Sequence, residues 1–314
     1  MHGHPPIPLL GTLSTTEQTA WLAALRAALP TQTICTGADV PAAVRSQVQV
    51  AIVANPDPDE LALFPHLQWV QSLWAGVERL LATPAPYKIV RMTDPQLAHT
   101  MAEAVLAWTL YLHRDMPSYR KQQQERVWQQ RPQVLASDRT VGLLGLGKLG
   151  QAAAQRLGQQ GFRVCGWRRS PSQIDGVTTF WGADGLTAML RQSHILVCLL
   201  PLTAATKGLL DATALDQLPQ GAALINFARG PIIVTEALLA ALNQGHLSHA
   251  VLDVFEVEPL PSQSPLWQHP AVTILPHISA ITTKATAAQI AADNIQQFLT
   301  GGNSPPGVNR TLGY

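Results

Sequence analysis

The sequence predicts an α/β protein with two domains, each a parallel sheet covered by helices. Three observations predict it. Apolar runs of strand length alternate with helical patterns along nearly the whole chain. Six strand runs fall after Asp138, the count of a doubly wound sheet. The 314 residues exceed one domain of roughly 100–200 residues.

In the first hundred residues, Thr15–Leu29 sets Trp21, Leu22, Leu25 and Leu29 at helical spacing, with Thr16 and Thr19 near its start. Val48–Val53 reads as a strand, stopped by the turn Asn55-Pro56-Asp57-Pro58. Leu67–Leu73 is a second strand, leading into Trp74-Ala75-Gly76, and Ile89–Met92 a third. From Leu97 to Arg114 the pattern is helical and apolar on most faces, which predicts burial between domains or subunits, and Pro117 breaks it. Ser118–Arg131 is a more polar helical stretch, either solvated or packed on a second subunit.

The later strand runs are Thr140–Leu144, Phe162–Trp167, His194–Leu200, Ala222–Asn226, His249–Leu252 and Val272–Leu275. Helical runs lie between them at Lys148–Gln160, Leu186–Arg191, Thr213–Gln217 and Thr235–Asn243. The Ala-rich helix Thr282–Leu299 lies beyond the sixth strand and is expected to return to the first domain. A Pro/Gly/Asn tail follows, and no internal repeat is visible.

Composition narrows the function. Lys plus Arg is 21 and Asp plus Glu is 20, a net charge of +1, which argues against nucleic acid as a main partner. No apolar run approaches the roughly 18–20 residues that span a bilayer, so no membrane partner is expected. Met1–Leu10 lacks a basic segment followed by a long apolar core, which argues against a secretory signal. Cys35, Cys165 and Cys198 are few, scattered and odd in number, as in a cytoplasmic protein with reduced thiols, and no spacing suggests a metal site.

Gly145-Leu146-Gly147-Lys148-Leu149-Gly150 matches G-x-G-x-x-G between a strand and a helix. In that context Gly145 permits the tight turn, Gly147 lets a pyrophosphate approach the backbone, and Gly150 lets helix and strand pack closely. The pyrophosphate would sit on free N–H groups at the helix N-terminus. An NAD site would end the next strand with an acid; here it ends Trp167-Arg168-Arg169-Ser170. Two guanidiniums suit a 2′-phosphate, so NADP(H) is expected over NAD(H).

Three further groups follow strands: Asn226-Phe227-Ala228-Arg229-Gly230, Asp253 through Leu260, and Pro276-His277-Ile278-Ser279-Ala280. Ligands bind outside the carboxyl ends of strands in such sheets, so all three are expected at the cofactor site.

The order of these motifs, over nearly the whole chain, resembles the D-isomer-specific 2-hydroxyacid dehydrogenases. Leu73-Trp74-Ala75-Gly76-Val77, Trp167-Arg168-Arg169-Ser170 and the stretch from Pro276 to Thr282 look like that family's glyoxylate/hydroxypyruvate reductase A branch. The resemblance implies two Rossmann-like/flavodoxin-like domains. A discontinuous substrate domain (1–96 plus 281–314) and a dinucleotide-binding domain (97–280) would enclose a cleft. His277 looks like the general acid, a task that suits a histidine. Glu258 looks like its partner, fixing the tautomer, with Glu256 a nearby rival. Arg229 looks like the clamp on the substrate carboxylate. Ala75 and Gly76 would offer backbone N–H groups to that carboxylate, with Trp74 either a pocket wall or a core residue. Asp253 is similar to an aspartate that holds the nicotinamide carboxamide, its bland alternative being a turn cap. Pro201 and, more weakly, Thr206 would lie beside the cofactor ribose. Ser279 departs from the family pattern of a small apolar residue or Gly; its hydroxyl either touches substrate or fills space.

The expected reaction is NADPH-dependent reduction of glyoxylate to glycolate and of hydroxypyruvate to D-glycerate, by a homodimer joined through the cofactor domain. Rival readings are a reductase for a bulkier 2-oxo acid and a non-catalytic cofactor-sensing or corepressor protein on the same fold.

Overall fold

The computed structural model describes residues 4–313, so the first three residues of the Met1–Leu10 stretch lie outside the described residues. The chain forms two compact units, one holding the residues up to Gln96 and again from Thr282, the other Leu97–Ile281.

The first unit contains β1 (Ile7–Gly11), α1 (Thr15–Ala28), β2 (Ile34–Thr36), β3 (Val50–Ala54), α2 (Pro58–Ala62), β4 (Trp69–Ser72), α3 (Glu78–Leu81) and β5 (Lys88–Val90). Its sheet is parallel throughout, in the order β2-β1-β3-β4-β5. This is the flavodoxin-like winding. Sequence patterning missed β1 and β2. Pro8 argues against a strand, but Ile7, Leu9 and Leu10 around it are all buried, and their burial wins. β2 has three residues, too few to show a period.

The second unit opens with α4 (Pro95–His113) and α5 (Met116–Glu125). The helix boundary differs from the sequence reading. The break falls at Asp115, in the left-handed region at φ 54°, and Pro117 lies in the first turn of α5, where its missing N–H costs nothing. Residues 127–135 carry no regular structure, so the helix expected through Arg131 stops at Glu125.

Then follow β6 (Thr140–Leu144), α6 (Lys148–Gln159), β7 (Arg163–Arg168), β8 (Thr178–Trp181), α7 (Gly182–Leu190), β9 (Ile195–Cys198), α8 (Ala212–Asp216), β10 (Ala222–Asn226), α9 (Thr235–Asn243), β11 (Leu247–Leu252) and β12 (Val272–Ile274). The sheet has seven strands rather than six, all parallel, in the order β12-β11-β10-β9-β6-β7-β8. The unforeseen strand, β8, lies at the sheet edge with no fully buried residue, so it shows no apolar run. Val141, Leu143, Ile195 and Val197 pack on one face, and Leu144, Leu196 and Cys198 on the other. Burial on both faces explains why these strands read as continuous apolar runs.

The chain then returns to the first unit as α10 (Lys284–Gly301). Ala287, Ala288, Ala291 and Ala292 are buried in one core with Trp21, Leu22 and Leu25 of α1. Small side chains at i and i+4 let two helices pack closely. Asn294 donates to the buried Gln71 at 2.8 Å, and the Thr286 hydroxyl donates to Asp94 at 2.6 Å. Among the described residues no helix is long and apolar enough to cross a membrane.

Candidate active site

In the second unit, β6 and β9 are sheet neighbours although β7 and β8 separate them in sequence. The winding reverses there, and such a switch point leaves a crevice at the strands' carboxyl ends. The glycine loop fills that position. Gly145 N–H donates to Trp167 O at 3.0 Å, and Leu199 N–H to Leu144 O at 2.8 Å, so the ends of β6, β7 and β9 are tied together.

Each motif glycine has a steric reason. Gly145 has φ 102°, and a Cβ there would stand 2.9 Å from the Leu199 carbonyl oxygen. A Cβ on Gly150 would collide with the Gly145 carbonyl oxygen. At Gly147 nothing lies within 4 Å of such a Cβ, so open space faces the backbone. Gly147 caps α6 without a side-chain bond, and the N–H groups of Lys148, Leu149 and Gly150 begin the helix. This bare, open helix start fits a dinucleotide pyrophosphate.

Arg168 is the last residue of β7, paired in register with Trp181, and Arg169 follows it in the exposed turn. Pro201 and Thr206 sit in the loop after β9. The Thr206 hydroxyl donates to Pro201 O at 2.6 Å and accepts from Thr203 N–H at 2.8 Å, stapling that turn.

The next three strand ends are also joined. Asp253 N–H donates to Asn226 O at 3.1 Å, and Leu275 N–H to Leu252 O at 2.8 Å. Asn226 shapes the first loop: its oxygen accepts from Ala228 N–H and its amide donates to Arg229 O, both at 3.1 Å. The Arg229 guanidinium is half-buried and donates to Ala228 O at 2.6 Å. A Cβ on Gly230 would run into the Phe255 carbonyl, so this turn lies flush against the Asp253–Glu258 loop. The sequence marks this role of Asn226 only by an amide at a strand end before Ala-Arg-Gly.

Glu258 Oε2 lies 2.7 Å from His277 Nδ1, so Glu258, not Glu256, is the carboxylate bonded to that ring. Its Oε1 accepts from Phe255 N–H at 2.9 Å, which fixes the carboxylate plane. An ionised carboxylate only accepts, so the ring donates from Nδ1 and presents Nε2 outward. The His277 side chain is 53% exposed, within reach of a ligand, and its φ of 56° is left-handed. Asp253, 2% exposed, accepts from Ile278 N–H at 2.7 Å and from Ser279 N–H at 2.9 Å. The Ser279 hydroxyl is buried and has no partner among the described residues.

In the first unit, Trp74 is half-buried and lies edge-on to Trp21 at 5.9 Å. Its N–H donates to Ser72 Oγ at 3.0 Å, and its carbonyl accepts from Ser72 Oγ and from Met92 N–H, both at 3.0 Å. Ala75 and Gly76 follow on a half-buried turn. Among the described residues no group of three His, Cys, Asp or Glu side chains is placed to hold a metal.

Residues 106–279 match the family model for the NAD-binding domain of D-isomer specific 2-hydroxyacid dehydrogenases. The chain is 39% identical over 310 residues to a glyoxylate/hydroxypyruvate reductase A of Yersinia enterocolitica, covering 95% of this chain and 97% of that protein. It is similar to the crystal structure of a D-isomer specific 2-hydroxyacid dehydrogenase from Xanthobacter autotrophicus in complex with NADPH and MES. That likeness has TM-score 0.91 and 38% identity, and covers 99% of this chain and all (100%) of the other. An NADPH-dependent glyoxylate/hydroxypyruvate reductase from Sinorhizobium meliloti, solved with NADP and sulfate, matches at TM-score 0.88 and 32% identity, over 99% of this chain and 100% of that one.

Proposed function

The chain belongs to the D-isomer specific 2-hydroxyacid dehydrogenases and is an NAD(P)-dependent enzyme, and from that premise we propose that it reduces small 2-oxo acids with NADPH, glyoxylate to glycolate and hydroxypyruvate to D-glycerate. The observation that carries the reading is the 2.7 Å bond between Glu258 and His277 on the loop beside Arg229.

The nicotinamide, when bound, supplies the hydride to the carbonyl carbon. His277 acts as general acid, giving a proton from Nε2 to the carbonyl oxygen as charge gathers there. Glu258 holds the ring in the tautomer and orientation that this transfer needs. Arg229 binds the substrate carboxylate and polarises the carbonyl, two tasks its planar fork serves together. Ala75 and Gly76 offer backbone N–H donors to the same carboxylate, Trp74 walls the substrate, and Ser279 lines it.

The N–H groups of Lys148, Leu149 and Gly150 hold the pyrophosphate, with Gly145 and Gly147 giving it room. Arg168 and Arg169 take the 2′-phosphate, which makes NADP(H) the preferred cofactor. Pro201 and Thr206 shape the wall beside the ribose. The similarity to relatives solved with NADPH and NADP supports this reading. The molecule works in the cytoplasm as a homodimer joined through the cofactor unit, which leaves the exposed Trp128 and Leu135 for a partner.

The test is a steady-state panel of 2-oxo acids with NADPH and with NADH, run beside His277→Ala. Glyoxylate and hydroxypyruvate lead the expected order, and His277→Ala loses about 10²–10⁴-fold in turnover with cofactor binding kept. A tenfold advantage for phenylpyruvate, or tight cofactor binding with no turnover of any 2-oxo acid, would overturn the substrate assignment.

A further inference from the structure

We infer that Asp253 is a positioning residue, whose buried carboxylate clamps the backbone just after His277 and so holds the imidazole against Glu258. The inference rests on the reading of His277 as general acid and goes beyond it by naming what aims the ring.

Three observations converge. Asp253 is 2% exposed, and a carboxylate is held out of water only where charge-assisted hydrogen bonds replace its hydration. Its two oxygens accept, one each, from the N–H groups of Ile278 and Ser279 at 2.7 and 2.9 Å. Two consecutive amides converging on one carboxylate fix the orientation of both peptide planes. The residue immediately before them is His277, at φ 56°, a backbone state that a residue with a Cβ keeps only when its surroundings hold it there.

Asp253 is itself anchored, its N–H donating to Asn226 O at 3.1 Å. The chain of bonds therefore runs from the end of β10, through Asp253, to the loop after β12. Glu258 fixes the ring at Nδ1 and Asp253 fixes the peptide behind it, so the imidazole is held at both ends.

Asp253→Asn keeps one acceptor but turns an NH₂ toward the second amide, donor against donor. The expected result is a fall in kcat of about 10–100-fold, since a misplacement near 1 Å costs that much. The fall persists at saturating NADPH, followed by fluorescence titration, so it does not arise from weaker cofactor binding. The downfield Nδ1 proton of His277, identified by its absence in His277→Ala, broadens or moves upfield in Asp253→Asn. Bare destabilisation of the fold would leave that resonance in place in the folded fraction.

Two results overturn the inference. One is an unchanged kcat and Nδ1 proton; the other is much weaker NADPH binding with normal kcat at saturation, which would assign Asp253 to the cofactor. Should Asp253→Asn not fold, amide exchange in the unmodified protein decides: protected Ile278 and Ser279 amides support the clamp, and unprotected ones overturn it. His277→Ala separates this inference from its premise. Normal turnover there overturns the acid assignment whatever Asp253 does. Lost turnover there, with normal turnover in Asp253→Asn, overturns the clamp alone.

Discussion

Glu258 reaches His277 Nδ1 at 2.7 Å although 19 positions separate them in the chain. The bond exists because β11 and β12 are parallel neighbours whose following loops emerge at the same sheet edge. Glu258→Gln puts an NH₂ against Nδ1 and so favours the wrong tautomer. Turnover of 2-oxo acids is expected to fall on the order of 10²-fold, with Glu258→Asp intermediate. Wild-type kcat in the Gln variant would remove the carboxylate from the mechanism.

The proposed preference for NADPH rests on the two arginines at the end of β7. Replacing Arg168 and Arg169 together by alanine is expected to lower kcat/KM for NADPH by about 10²-fold, the usual scale for losing hydrogen bonds to a charged group. The value for NADH is expected to stay within about threefold. An equal loss with both cofactors would show that the pair serves the fold rather than the phosphate.

Burial lowers the His249 imidazole to about 4, with the nearby His269 a smaller cause. Its Nε2 lies 2.9 Å from Thr273 Oγ1. An unfolded histidine titrates near 6.5, so the unfolded chain takes up the proton first as pH falls. Stability from this residue is full above about pH 6.5 and is lost progressively toward about pH 4, by up to about 3 kcal/mol. His113 and His194 are also lowered, by burial first and by the Arg139 guanidinium second, and act in the same direction. Urea melts between neutral pH and pH 4.5 check this. The His249→Gln midpoint should fall less steeply than that of the wild type; parallel slopes would contradict the assignment.

Trp128 is 100% exposed and Leu135 70%, both on the irregular stretch after α5. The proposed homodimer would take this apolar surface out of water. Sedimentation is expected to show a dimer for the wild type and a shift toward monomer for the double variant Trp128→Arg, Leu135→Arg. A monomeric wild type would end the dimer proposal.

The sequence by itself determined the fold class and the order of the elements that carry a clear apolar period, because apolar period and turn residues are local properties of each segment. Thr140–Leu144 and Ala222–Asn226 were legible to the residue, since both are buried on two faces and read as unbroken apolar runs. β8 was illegible because an edge strand needs no such run, and β1 because Pro8 interrupts it. Only the tertiary structure decided that β6 lies beside β9, what geometry Glu258, the carboxylate the resemblance already favoured, makes with His277, and that Asp253 bonds the amides of Ile278 and Ser279. Those choices depend on which loops meet in space. A carboxylate's partner is set by the packing of distant strands, and no pattern within its own segment records it.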